Sequence, residues 1–362
     1  MSMEYATIDK KMDEIPTRLT FSTSTIADYI ATNFKTDNEK IRAVFYWTAS
    51  SISYDVEIRD VRTYTGTLEN RMNNALKNKK GICNDYAEIF KDIAAKVGIN
   101  TVVISGYTKY NNVVLSRPHA WCGAKIGAKW YVFDPTWGAG YVNNTVFVKA
   151  IDNYYFKVEP NKIISSHMPF DYMWQFLPYP ISNREFYNGQ TQMNPSKKRF
   201  DFDLEISRYR TLSEVEQLKG SSERLKNNGV LNAMISDRLS YERKKIEYYN
   251  QVKSLKEFKE VVTLYKEGIS QLNAFIDYRN RQFKPLHSDD ELKKMILKPI
   301  DIFNNCQFRF DNLGAIGDKN VGSLNSMKKS LQFSMQLAQE HERFVFNYLS
   351  KSKAVRETLF RY

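Results

Sequence analysis

From His119 to Trp137 the chain reads HAWCGAKIGAKWYVFDPTW, and this stretch decides the fold. Ala120 to Ile126 and Lys129 to Phe133 are rich in aromatic and apolar residues, and Gly127-Ala128 between them has the size of a two-residue turn, so the spacing predicts an antiparallel hairpin. A turn there pairs Ile126 with Lys129, and the same register carried outward sets His119 opposite Thr136, with Asp134 as its diagonal neighbour. Side chains alternate faces with period two, so His119 and Asp134 project from one face with their backbones about 7–8 Å apart. That places a base beside the carboxylate that can orient it.

Working outward, Thr101-Val102-Val103-Ile104 reads as a further strand ending at Ser105-Gly106. Before it, Tyr86, Ala87, Phe90, Ile93, Ala94 and Val97 recur at helical spacing and stop at Gly98, where a left-handed cap is expected, so Cys83 falls at the start of a helix. An earlier helix is predicted from Asp37, its expected cap, to Ile52, and a polar stretch from Asp60 to Lys80 ends at Gly81. Helices followed by antiparallel strands imply an α+β class. Tyr154 to Phe176, punctuated by Pro160 and Pro169, reads as irregular but packed.

The polar run from Ile181 to Arg199, with Asn188-Gly189 and Pro195, marks an expected boundary, giving domains at 1–185 and 186–362. Beyond it the texture is helical. Val252, Leu255, Phe258, Val262, Tyr265, Ile269, Leu272 and Ile276 form one stripe; Leu324, Met327, Leu331, Met335, Ala338, Val345 and Leu349 form another, the pattern of bundle core.

Composition bounds the function. The 362 residues are 42% hydrophobic and 26% charged, with 23 Tyr and 22 Phe, which excludes a disordered, collagenous or disulfide-stapled chain. No run of 18 apolar residues suggests a membrane span, and the charged N-terminus does not read as a signal peptide. The net charge of +12 is spread evenly, +6 on residues 1–200 and +6 on 201–362, which argues against a nucleic-acid surface. Three cysteines, Cys83, Cys122 and Cys306, are too few and too scattered for a disulfide framework or paired zinc knuckles.

A helix N-terminus stabilises negative charge, and the thiolate is the nucleophilic form of cysteine, so Cys83 is the candidate nucleophile. Asp85 and Glu88 in the same first turn would oppose this if they faced the sulfur. With His119 as base and Asp134 as orienting carboxylate, the set matches nucleophilic acyl transfer through a thioester. The Cys83 backbone N–H and a side-chain N–H are the expected oxyanion donors. Taken singly, a buried cysteine, a strand histidine and an aspartate before proline carry no chemistry; the combination does.

Gly81 to Ala87, Gly98-Ile99, Ser105-Gly106-Tyr107, His119-Ala120-Trp121 and Lys129 to Gly138 closely resemble the core of the transglutaminase-like superfamily in order, spacing and flanks. Lys40 to Trp47, Ile52 to Asp55, Tyr155-Phe156, Pro160, His167, Pro169 and Trp174-Gln175 resemble its kyphoscoliosis-peptidase branch, in the bacterial form. The resemblance covers about residues 37–177; residues 200–362 resemble nothing specific. It implies a papain-like α+β fold with Cys83, His119 and Asp134 at the triad positions. Trp47, 36 residues before Cys83, falls where animal transglutaminases keep an oxyanion-stabilising tryptophan, a role that a core aromatic could mimic in sequence. His167 matches a branch marker, implying support rather than catalysis, and Cys122 is expected to be inert strand packing. No acidic cluster has calcium-loop spacing, and no metal or cofactor is implied.

The resulting expectation is a cysteine peptidase or amide hydrolase acting on protein or peptide substrates. Its alternatives are a cross-linking transglutaminase, a catalytically idle scaffold that engages a protein partner through its C-terminal helices, and a small-molecule acyltransferase. Bacterial relatives of the branch are often exported, so the resemblance leans to a secreted or periplasmic site with the signal peptide absent from this chain, and otherwise to the cytoplasm.

Overall fold

The computed structural model describes residues 5–58 and 67–360. Of the polar stretch expected at 60–80, residues 60–66 therefore lie outside the described residues. The chain divides into two compact units, Met1–Arg243 and Lys244–Tyr362.

The first unit opens with three helices, α1 (Ala6–Asp13), α2 (Thr23–Asn33) and α3 (Asp37–Ser51). Thr36, rather than Asp37, caps α3: its hydroxyl accepts the Glu39 N–H while the Glu39 carboxylate accepts the Thr36 N–H. Buried Arg42 of α3 makes two hydrogen bonds to Asp9 of α1, at 2.7 and 2.5 Å, which pins the N-terminal helix to the core. β1 (Ser53–Tyr54) pairs in parallel with β2 (Lys80–Gly81), which follows α4 (Leu68–Asn78) and leads directly into α5 (Cys83–Lys96). Gly98 ends this segment with φ +89°, the left-handed stop expected.

A four-stranded antiparallel sheet follows, built from β3 (Asn100–Tyr110), β4 (Val113–Ile126), β5 (Lys129–Phe133) and, after the hairpin β6 (Gly140–Asn143) and β7 (Val146–Lys149) and the short helix α6 (Pro160–Ile163), β8 (His167–Pro169). Its order is β5-β4-β3-β8. The β4–β5 register is Ile126 with Lys129 through Cys122 with Phe133, as the turn at Gly127-Ala128 requires. The ladder stops there, so His119 does not pair with Thr136; the chain turns at Asp134-Pro135 instead.

Gly106 does not end β3. The strand runs on to Tyr110 and pairs on its other side with β8, so part of the segment read as irregular is a sheet edge. The glycine serves close approach: a Cβ at Gly106 would lie 2.1 Å from Met168 O, 2.5 Å from Trp121 Cη2 and 2.8 Å from Pro169 Cα. One core joins Ile89, Phe90 and Ile93 of α5, Val44, Phe45 and Trp47 of α3, and Ala120, Cys122, Ala124 and Phe133 of the sheet. The opposite parity of the strands, Trp121, Trp130 and Val132, meets Met173 and Phe176 in a second cluster.

The polar run near 190 does not mark the end of packing. α7 (Asn183–Tyr187), α8 (Phe202–Tyr209), α9 (Glu214–Asn227) and the start of α10 (Ala233–Asn280) place Phe186, Ile206, Leu225, Ile235 and Leu239 among the buried side chains of the first unit. Buried Arg224 of α9 holds Asp171 through two hydrogen bonds, at 2.7 and 2.8 Å. The second unit is helical, formed by the rest of α10 with α11 (Asp289–Asp311) and α12 (Asp318–Leu349) around Val261, Leu272, Phe275, Ile296, Phe303, Leu331, Ala338 and Val345. The two predicted stripes supply Phe258, Leu272, Leu331, Ala338 and Val345 to this core and pack most of their other members against it, while α11, which neither stripe covers, adds Ile296 and Phe303. Val252 is an exception, 48% exposed, and Val261 is buried in the same helix.

Candidate active site

Cys83 is the first residue of α5, where the first-turn N–H groups have no acceptors four residues back. The two acidic residues beside it are engaged elsewhere. Asp85 Oδ2 accepts the Ile82 N–H at 3.0 Å and Asp85 Oδ1 accepts from Arg71 at 2.8 Å, while Glu88 pairs with Lys91 at 3.3 Å. Cys83 is partly exposed, whereas Cys122 and Cys306 are buried. Cys122 Sγ donates to Ala87 O at 3.2 Å, and burial pushes its thiol pKa well up, the profile of packing rather than reactivity.

His119 on β4 is hydrogen bonded through Nε2 to Asp134 Oδ2 at 2.7 Å, and Cys83 interacts with the same imidazole. The diagonal placement expected from the register thus brings the two side chains into direct contact. Asp134 follows β5 in a tight turn, and its Oδ1 accepts the backbone N–H groups of Thr136 at 2.9 Å and Trp137 at 3.0 Å. The Asp-Pro-Thr-Trp sequence folds this way because the carboxylate caps the two N–H groups exposed by the turn.

Burial opposes charge on His119, but the Asp134 carboxylate, followed by Cys83, outweighs it and raises the imidazole pKa to about 10. Burial likewise opposes charge on Asp134, and the His119 imidazole, with hydrogen bonds from two histidines, holds the carboxyl well below its usual range. The second histidine is His167 at the start of β8, whose Nε2 lies 3.0 Å from the same Oδ2. Burial lowers its pKa, leaving it neutral. Trp121 stacks on His119 and meets His167 edge-on, and Trp137 approaches both rings, at centroid distances of 5.6 and 4.8 Å. These apolar walls strengthen the charge-assisted hydrogen bonds between them.

Polar atoms of His119, Asp134 and His167 lie within 4.8 Å of one another. Both Nε2 atoms are hydrogen bonded to Oδ2, so each of these three side chains engages another. Trp47 belongs to the core cluster against which Cys83 packs; its buried ring faces the Lys79 ammonium at 5.1 Å, and its Nε1 has no hydrogen-bond partner among the described residues.

Sequence comparison places the part of the chain that carries Cys83, His119 and Asp134 in a family. Residues 24–135 match the model of the transglutaminase-like superfamily, so this part of the chain is a transglutaminase-like domain. The chain is similar to kyphoscoliosis peptidase of Mus musculus (30% identity over 164 residues, 42% of this chain and 24% of that protein) and of Homo sapiens (28% over 165 residues, 42% and 24%). It is also similar to Hillarin of Drosophila melanogaster (26% over 176 residues, 42% and 20%). The chain thus spans about a quarter of the length of these curated relatives or less.

Proposed function

We propose that the first unit is a cysteine acyl-transfer enzyme acting as a peptidase or amide hydrolase on protein or peptide substrates. The observation that carries this reading is a partly exposed helix-start thiol interacting with an imidazole that is hydrogen bonded to a carboxylate held by two backbone N–H groups. Cys83 gives its proton to His119 and attacks the substrate carbonyl; the tetrahedral oxyanion faces the first-turn N–H of α5. His119 returns the proton to the leaving amine, and a thioester remains on Cys83. Water, deprotonated by His119, then attacks the thioester, releasing the acid and restoring the thiol. Asp134 keeps the imidazole in the tautomer that presents its other nitrogen to sulfur and stabilises the imidazolium between steps. The peptidase name of two relatives favours water over an amine as the second acceptor.

The test incubates the full chain, and its Cys83→Ala variant, with β-casein and monodansylcadaverine and examines the products by mass spectrometry. New peptide termini that depend on Cys83 support the hydrolase. Cys83-dependent incorporation of the amine without new termini replaces it with the cross-linking reading. Neither product, with unmodified Cys83 throughout, overturns the proposal in favour of an idle scaffold.

A further inference from the structure

The Asp134 carboxylate serves two imidazoles, and only one of them touches the thiol. His167 is fully buried, its Nε2 is 3.0 Å from Asp134 Oδ2, and its Nδ1 is 2.8 Å from the Ser166 hydroxyl. An ionised carboxylate only accepts hydrogen bonds, so Nε2 carries the His167 proton and Nδ1 is left as the acceptor. Ser166 satisfies that acceptor. Its alternative partner, Ile163 O, is farther away at 3.2 Å. The carboxylate fixes the tautomer, and the hydroxyl satisfies the nitrogen that this tautomer leaves as acceptor.

We propose that His167, its Nε2 proton committed to the carboxylate and its Nδ1 satisfied by Ser166, is a positioning residue that fixes Asp134 and limits how tightly it holds the His119 proton. The proposal rests on the cysteine chemistry above for its purpose, but its physical content is independent of turnover. Oδ1 is already locked by two backbone N–H groups, so Oδ2 cannot rotate away, and His119 and His167 divide its remaining lone-pair capacity. Without the second donor, Asp134 would act on His119 alone and hold the imidazolium more strongly. A base that grips its proton too well is slow to return it to the leaving amine.

Local geometry supports a device built for this purpose. β8 carries His167 opposite Thr108 of β3 and lies close against β3 at Gly106, which faces Pro169 and has no side chain. The Trp121 ring that would collide with a Gly106 Cβ is also the ring against which both imidazoles pack. Trp137 and Tyr155 also pack against His167, whose side chain has no exposed surface.

The experiment follows the His119 ring by 15N-detected NMR titration in the full chain, alongside the pH profile of Cys83 alkylation. His167→Leu removes the donor, and His167→Gln keeps an amide N–H that can reach Oδ2. The Leu variant is expected to move the His119 titration upward by about one pH unit, the share of a charge-assisted hydrogen bond released to it. Gln should restore most of the shift. An unmoved titration in the Leu variant, or a Gln variant as displaced as Leu, overturns the proposal. If the Leu variant does not fold, the His167 spectrum of the wild type provides the second reading: a neutral ring with its proton on Nε2 is expected, and a proton on Nδ1 overturns the proposal. Because the NMR shift needs neither substrate nor labelling, an inactive protein that still shows it would sink the proposed function and leave this inference standing.

Discussion

Gly106→Ala tests the linkage between packing and chemistry most sharply. The added methyl would meet three atoms closer than 3.0 Å, two of them backbone atoms of β8 and one the Trp121 ring. Overpacking of this kind costs typically 1–3 kcal/mol, and backbone neighbours that cannot rotate aside place the cost near about 3 kcal/mol. All five tryptophans, Trp47, Trp121, Trp130, Trp137 and Trp174, lie in the first unit, so tryptophan fluorescence in urea reports that unit alone. With a urea slope of about 2–3 kcal/mol/M, the midpoint should fall by about 1–1.5 M. The displaced Trp121 ring should shift the histidines it supports, and a misplacement on the order of 1 Å is worth about a hundredfold in rate. Cys83 alkylation is therefore expected to slow far more than the loss of stability explains. Gly127→Ala is the control: φ is +59° but no atom lies within 4 Å of its Cβ, so it should lose roughly 1 kcal/mol and leave alkylation unchanged. Equal alkylation rates in the Gly106 variant and the wild type, or an unchanged midpoint, would refute the reasoning.

Two other predictions concern buried polar groups. The Trp47 N–H is buried without a partner, a condition that costs about 1–3 kcal/mol, so Trp47→Phe is expected to keep or gain stability. If this N–H meets the oxyanion, as the sequence resemblance implies, thioester formation from a peptide ester should fall by about 10²–10³-fold; an unchanged rate would make Trp47 a packing residue. The raised His119 pKa makes stability depend on pH: its contribution is complete below the unfolded-state value of about 6.5 and is lost as pH climbs towards about 10. The stability difference between wild type and His119→Gln should shrink across that window, and a difference that stays constant would exclude the ion pair.

The parts of the fold legible in the sequence are those set by local chemistry. Gly127-Ala128 sets the hairpin register, that register places His119 and Asp134 on one face, and the α5 pattern ending at Gly98 puts Cys83 at a helix start. What escapes is decided by partners distant along the chain. Gly106 looks like a strand end because a glycine that ends a strand and one that admits a neighbouring backbone are the same letter; only β8, sixty residues later, distinguishes them. His167 reads as a supporting residue by resemblance, but its bond to Asp134 depends on β8 pairing with β3. The polar residues around 190 report solvent exposure of a loop, while Leu225, Ile235 and Leu239 beyond it pack α9 and the start of α10 into the first unit. Asp9 and Arg42 look like two solvated charges until α1 and α3 bury them together. The Asn111-Asn112 turn between β3 and β4, with φ of +47° and +61°, carries a readable signal: two consecutive asparagines tolerate the left-handed conformation that a tight hairpin demands.

The central claim is that folding activates one sulfur of three through His119. Competitive labelling of the native full chain with iodoacetamide at neutral pH, quantified by mass spectrometry at each cysteine, measures this directly. Cys83 should react on the order of a hundredfold faster than buried Cys122 and Cys306, and His119→Ala should erase most of that advantage while the protein remains folded. Slow and equal labelling of all three cysteines, or a Cys83 rate indifferent to His119, would contradict it.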